Sequence, residues 1–267
     1  MEFLSYGFMR NALIAVCIIT PLFGILGTMI VNNKMAFFSD ALGHSAFTGI
    51  AIGCICGIAA PTLAAVIFAV VFALLFSLVR SKSNQAADTL IGVFSSTAVA
   101  LGIFIATLGG GSFTKYNRYL IGDVLSVTPQ QIGCLAAVLL VTLVFFVFFG
   151  NRLTVSAIHP ALASTRRLAP ILTQTLFTTL VAVIVTLAIS WVGLLILNSL
   201  LVLPGASAKN ISKNLRQYHG FSVGFALIAG IVGLTLSYYC GASAGAAISL
   251  ILAVFFAISF VLRKSRC

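Results

Sequence analysis

Acidic residues are scarce in this chain: of 267 residues only Glu2, Asp40, Asp88 and Asp123 carry a carboxylate side chain. Charged residues of both signs make up 7% and hydrophobic ones 61%, whereas a soluble globular domain carries roughly 25% charge. A water-soluble globule is therefore excluded. Two catalytic signatures are also missing. No Gly-x-x-x-x-Gly-Lys-[Ser/Thr] loop is present, so the chain does not hydrolyse ATP itself. No His-Glu-x-x-His is present either, which leaves an intramembrane metalloprotease without support. The six cysteines (Cys17, Cys54, Cys56, Cys134, Cys240 and Cys267) lie mostly inside apolar runs and lack zinc-knuckle or disulfide-framework spacing. They read as small packing residues, although a thiol near a metal path is soft enough to bind.

What the chain has in abundance is apolar runs. Nine segments stand out, at about 11–31, 36–58, 62–80, 88–108, 131–149, 171–189, 191–207, 221–239 and 244–262, each near the roughly 20 residues that a membrane-spanning helix needs. The expectation is an all-α polytopic membrane protein of eight or nine spans, with residues 1–267 forming a single transmembrane domain and no room for a soluble enzyme domain. The first run follows Arg10 without a small-residue cleavage site and reads as a retained span. Only Ser190-Trp191 divides the sixth and seventh runs, so a tight hairpin or a broken helix is needed there.

The net charge of +11 does not point to nucleic acid, because the cations are scattered over short connections instead of forming an aromatic-studded patch. Topology accounts for them better. With the carboxyl terminus in the cytoplasm, 12 Lys and Arg fall inside and only Arg10, Lys115 and Arg118 outside. This split favours nine spans with the amino terminus outside.

The candidate chemistry lies in Phe37 to Gly49, at the start of the second run. Asp40 and His44, four residues apart on a helix, project from one face. A carboxylate in an apolar span costs about 2.5–3.5 kcal/mol on insertion scales unless something compensates. Structural, proton-relay and metal-site readings of the pair all stand. One chain offers two ligands, whereas zinc usually takes four and manganese six, so a homodimer with the pair near its two-fold axis would supply the rest. Thr48 and Ala51 share that face, and Gly49, Gly53 and Gly57 repeat every fourth residue, a spacing that lets another helix approach closely.

Four further stretches carry expectations. Gly109 to Val127 forms the longest outer connection, where Asp123 is either a solvated partner of Arg118 or the entrance to a pathway. Asn151 to Ala169 is the longest inner connection, and Ser156 to Leu168 within it has an amphipathic helical pattern suited to a partner's groove or to lipid headgroups. His159 there, and His219 in the next basic loop, read as solvated or docking residues. Leu200 to Ala208, with Pro204, should interrupt a helix. Asn198, one turn earlier, suits interhelical hydrogen bonding.

These stretches together resemble the membrane permease subunits of bacterial ABC importers for zinc, manganese and iron. Ser39-Asp40-Ala41-Leu42-Gly43-His44-Ser45 is similar to that family's (Gly/Ser)-Asp-x-(Leu/Ile)-x-His-(Ser/Ala) signature, and Asp88-Thr89-Leu90-Ile91-Gly92 to its Asp-x-x-(Ile/Leu)-Gly segment. Tyr119 to Leu125 resembles Tyr-Leu-x-Gly-Asp-x-Leu, and Val192 to Leu195 with Leu203 to Ala208 resembles the Val-Gly-x-(Leu/Ile) and Pro-Ala-x-(Thr/Ser)-Ala block. The likeness covers nearly the whole chain. It implies a bundle like that of the type II ABC importer permeases, set in the bacterial cytoplasmic membrane as a homodimer. Two cytoplasmic ATP-binding subunits would drive it, and an extracytoplasmic solute-binding protein would deliver the cation.

By the same resemblance, Asp40 and His44 fall where such permeases contact the transported Zn2+, Mn2+ or Fe2+. No permanently bound cofactor is implied. Pro160, Ala161, Leu162, Ala163, Arg166 and Arg167 fall where the coupling loop meets the ATPase, though His159 and Arg167 stand where an aspartate and a glycine are expected. The rival reading is a gradient-driven divalent-cation carrier or channel, which usually buries several ionisable groups where this chain has Asp40, His44 and little else. A structural or signalling membrane protein without a substrate is the third.

Overall fold

The computed structural model describes residues 6–58, 60–108, 123–158 and 169–264. Among them are nine long helices and no strand: α1 Gly7–Asn32, α2 Phe38–Ile55, α3 Pro61–Lys82, α4 Ala87–Leu108, α5 Pro129–Ile158, α6 Pro170–Val192, α7 Leu194–Ile211, α8 Leu215–Cys240 and α9 Ala244–Lys264, with a short 3-10 turn at Val124–Ser126 before α5. Each expected apolar run has become one helix. Eight of the nine are long and apolar enough to cross a membrane. The remaining one is α2, whose 18 residues include Asp40, His44, Ser39, Ser45, Thr48 and three glycines.

Except for α2, which is shorter than its run, the helices extend beyond the apolar runs that announced them at one end or both. α5 begins at Pro129 and continues to Ile158, well past the expected end at 149. Thr128 and Gln131 start it with a reciprocal cap: the Thr128 N–H donates to Gln131 Oε1 at 2.9 Å and the Gln131 N–H to Thr128 Oγ1 at 3.4 Å. Asn151 to Ile158 thus belong to a helix and not to the expected inner loop. α8 likewise starts at Leu215, capped by Asn214, which accepts from the Gln217 N–H at 2.8 Å. The junction between the sixth and seventh runs is one residue, Gly193, at φ 89° and ψ 151°. Glycine alone adopts that backbone readily. α7 does not break at Pro204; it runs on to Ile211 with Pro204 buried inside it.

The described residues fall into two compact units. The α2 unit comprises those within Asn32–Gly122 and Phe146–Ser190, and the α7 unit those within Met1–Val31, Asp123–Phe145 and Trp191–Cys267. Within the α2 unit, α2 packs on both α3 and α4, which barely touch one another. Its glycines permit this. A methyl group at Gly49 would lie 2.6 Å from Ala65 Cα, and one at Gly53 2.7 Å from Ala64 Cβ. Gly57, the third of the expected row, sits beyond the helix end at φ +67° with open space around it, so the packing row stops at two. Phe38, Phe76, Phe94 and Phe72 form a continuous aromatic cluster at centroid distances of 5.0–5.6 Å that ties α2, α3 and α4 together.

Within the α7 unit, α1 meets α7 backbone to backbone. A Cβ at Gly27 would collide with the Leu201 carbonyl oxygen, and one at Gly205 would lie 3.0 Å from the Gly27 carbonyl oxygen. α8 is stitched to α1 by hydroxyl groups. Ser222 Oγ donates to the Gly24 carbonyl at 2.7 Å and the Tyr218 hydroxyl to the Thr28 carbonyl at 3.1 Å. α9 packs on α7 and α8, with Ser199 and Ser249 hydroxyls 2.7 Å apart and Asn210 Nδ2 donating to Ser259 Oγ at 3.1 Å. Large apolar side chains such as Leu63, Phe104, Val147, Leu250 and Val261 remain exposed on α3, α4, α5 and α9, a surface suited to hydrocarbon.

Candidate metal site

Helix α2 is buried along almost its whole first three turns. Phe38, Ser39, Ala41, Leu42, Gly43 and Ser45 to Ala51 are all buried, and within that stretch only Asp40 and His44 are not. Their side chains keep 44% and 38% of their accessibility. Phe37, three residues before Asp40 on the same face, is 67% exposed. One narrow stripe of α2 is therefore left open by the helices of its own chain, and it carries an aromatic ring, a carboxylate and an imidazole.

The stripe closes at the next turn. Thr48 and Ala51, expected to share the face of the pair, are fully buried. Thr48 Oγ1 donates to the Ala98 carbonyl of α4 at 2.6 Å, and a methyl at Gly102 of α4 would lie 2.7 Å from that same oxygen. At 100° per residue Thr48 lies about 80° round from Asp40 and under α4, whereas Ala51 stays close to the azimuth of the pair and is covered farther along the helix.

Within the stripe His44 Nε2 lies 3.6 Å from Asp40 Oδ2. Two donors on one tetrahedral cation, each at about 2.0–2.2 Å, lie about 3.4 Å apart. The observed separation is close to what two ligands of one ion require. Among the described residues no group of three or more His, Cys, Asp and Glu comes together, so the described part of the chain brings two such groups, Asp40 and His44, within reach of one ion. Carboxylate and imidazole form a donor set that suits zinc, manganese or ferrous iron.

Asp123 is differently placed. It is exposed, and its Oδ1 accepts the Leu125 N–H at 3.0 Å while its carbonyl accepts from Ser126 Oγ at 2.8 Å. It thereby caps the 3-10 turn ahead of α5. Arg118, its expected partner, lies outside the described residues, as do His159 and the coupling-loop positions Pro160, Ala161, Leu162, Ala163, Arg166 and Arg167. His219 is not in a loop. It lies on α8, half-buried, with Nδ1 2.8 Å from Thr28 Oγ1. Because the Thr28 hydroxyl donates to the Ile25 carbonyl at 2.7 Å, the imidazole Nδ1–H is the donor in the second bond.

Sequence reasoning missed Arg80. Its guanidinium reaches from the last turn of α3 to the connection that leads into α2, donating to Met35 Sδ at 2.7 Å and to the Asn33 carbonyl at 3.1 Å. The sequence shows only a cation at a helix end, which a count of basic residues per loop treats as a marker of topology.

The chain is similar to known proteins over nearly its whole length. The model of the family described as "ABC 3 transport family" matches residues 5–263. The zinc uptake membrane protein ZnuB of Haemophilus influenzae is 26% identical over 90% of this chain and 91% of its own length. The manganese transport membrane protein MntC of Halalkalibacterium halodurans is 27% identical over 97% of this chain and 88% of its own. A chain in the solved structure of PsaBC from Streptococcus pneumoniae in complex with Fab is 27% identical and superposes with a TM-score of 0.81, covering 97% of this chain and 94% of that one. A family match that runs nearly end to end makes this chain a member of the ABC 3 transport family.

Proposed function

We propose that this chain is the membrane permease subunit of an ATP-driven importer of divalent transition-metal ions, zinc or manganese and by resemblance iron, with the ion passing Asp40 and His44. The observation that carries this reading is the half-open acid–imidazole pair, 3.6 Å apart on a helix otherwise buried against its neighbours. Family membership and the zinc and manganese names of relatives supply the class of cargo.

The working unit in this reading is a homodimer, residues 1–267 of each copy acting as one permease domain. Two copies bring their stripes together, so that two carboxylates and two imidazoles complete the shell that one chain leaves half-built. The cargo remains a substrate, held briefly, and no cofactor resides in the chain. Two cytoplasmic ATP-binding subunits drive the cycle through the segment from Pro160 to Arg167, and an extracytoplasmic solute-binding protein delivers the ion. The excess of basic residues on one set of connections supports a carboxyl terminus in the cytoplasm and an amino terminus outside the bacterial cytoplasmic membrane, which in this reading has α2 crossing with the other eight helices.

Transport is by alternating access. The ion enters from the outer face, binds where Asp40 and His44 converge, and leaves inward when ATP-driven closure shifts the helices, the two states differing in their affinity for it. The test is cellular metal content by elemental analysis in a strain lacking the chain, complemented with wild type, Asp40→Ala or His44→Ala. Restoration by wild type alone supports the reading, and full restoration by both variants overturns the site. Metal flux through the permease reconstituted alone in vesicles, without an ATPase, would favour the gradient-driven carrier instead.

A further inference from the structure

We propose that Arg80 is a positioning residue for the Asp40/His44 site: its guanidinium clamps the turn that launches α2 and so fixes where the carboxylate and the imidazole stand. This rests on the metal-site reading of that pair.

The clamp is multidentate and lies wholly within the α2 unit. Besides Met35 Sδ and the Asn33 carbonyl, the guanidinium meets the Gln174 amide of α6. Oriented with its oxygen towards the guanidinium, that amide accepts from Nη1 at 2.8 Å and Nη2 at 3.1 Å, and it lies 3.1 Å from the Asn33 amide. Asn33 and Met35 are buried. Between them Lys34 adopts φ 55°, a left-handed backbone held without glycine. A residue in that conformation persists when its neighbours fix it from both sides, and here Arg80 grips both. The Met35 carbonyl then accepts the Phe38 N–H at 3.0 Å, the hydrogen bond with which α2 begins.

One helical turn before Arg80 on α3, Phe76 packs on Phe38 at 5.0 Å. A single face of α3 therefore fixes both the backbone turn and the first buried side chain of α2. Asp40 follows Phe38 by two residues and His44 by six, so their setting is inherited from that anchor. The acid whose field reaches Arg80 is Asp88, in the exposed first turn of α4. The direct bonds of the guanidinium go to neutral groups, a thioether, a carbonyl and an amide, so they set direction and do not simply neutralise charge. A lysine also has three donors, but they radiate from a single nitrogen and cannot reproduce the planar two-nitrogen fork that meets the Gln174 amide.

The test uses the purified full-length permease in lipid nanodiscs and Co2+ as the probe, read by its ligand-field absorption and by titration, with thermal melting recorded in parallel. Wild type should give an absorption band that His44→Ala abolishes. Arg80→Gln should weaken Co2+ binding about tenfold and alter the band, as expected when a group that orients ligands indirectly is lost, and Arg80→Lys should fall between. Gln174→Ala, which leaves the contacts of the guanidinium with Met35 and Asn33, is the milder variant should Arg80→Gln fail to fold; it should weaken binding measurably and by less than Arg80→Gln. A lowered melting temperature with wild-type affinity and band shape in Arg80→Gln or Gln174→Ala would make the clamp merely structural and overturn the proposal. A wild-type chain with no His44-dependent Co2+ signal would overturn the metal-site reading and this inference with it.

Discussion

Two polar regions of this molecule invite the same description and do opposite things. Where α1 meets α8, Thr28, Tyr218, His219 and Ser222 form hydrogen bonds that end on carbonyls or on each other within the α7 unit. On α2, Thr48 and Ser45 are used in the same manner, donating to Ala98 and Leu42, but Asp40 and His44 are turned to a stripe that their own chain leaves partly open. Polarity inside an apolar helix is thus a poor guide to function by itself. A group whose hydrogen-bonding capacity is absorbed by a neighbouring helix is a fastener, and a carboxylate and an imidazole set side by side at a half-covered face can be reached from outside the chain.

The sharpest way to break this comparison is to treat the two histidines alike. His44→Ala is expected to reduce metal accumulation to the level of a strain lacking the chain. His219→Ala removes one bond to Thr28, costs about 1 kcal/mol of stability, and leaves uptake near that of wild type. Elemental analysis of complemented cells reads the first effect, and melting of the purified protein the second. Equal loss of uptake in both variants at equal expression would erase the distinction.

Next in size are the glycines that let helices touch. Gly27→Ala places a methyl against the Leu201 carbonyl, where neither helix backbone can yield cheaply, and should cost about 3 kcal/mol or prevent folding. Gly49→Ala meets Ala65 Cα in the same manner, but it also pushes on the helix that bears the pair. The comparison predicts that Gly27→Ala reduces the amount of folded protein at unchanged activity per folded molecule, whereas Gly49→Ala reduces both. Transport normalised to monodisperse protein separates the two.

The helices were legible because burial in lipid demands long apolar runs, and nine runs became nine helices. Their ends were less so. Hydropathy reports the stretch that leaves water, while backbone hydrogen bonding continues into the polar zone, hence α5 reaching Ile158 and α8 starting at Leu215. Pro204 looked like a break and is tolerated within α7, in line with the tolerance of membrane helices for proline when neighbours cover the freed carbonyl. The Asp40–His44 pair was legible because i, i+4 spacing survives any detail of packing. The roles of Thr48, Arg80 and His219 were not, since each depends on which helix lies opposite, and pairing across 50, 45 or 191 residues leaves no local trace.

Asp123 gives the smallest expected effect and the finest test of the distinction between fastener and site. Its carboxylate has a structural use, accepting the Leu125 N–H and capping the turn into α5, yet it is exposed, so an attraction for incoming cations is the competing role. Asparagine separates them, because its amide oxygen accepts the same backbone bond while the charge is gone. If Asp123 is chiefly a cap, Asp123→Asn keeps uptake within about twofold of wild type even when metal is scarce, and Asp123→Ala loses about 1 kcal/mol of stability. If instead its charge draws ions to the outer mouth, Asp123→Asn and Asp123→Ala should slow uptake alike at limiting metal, and more so at low ionic strength, where screening is weakest. The salt dependence is the decisive measurement: a capping bond between a side chain and its own turn is indifferent to it, and an attraction acting across open solvent is not.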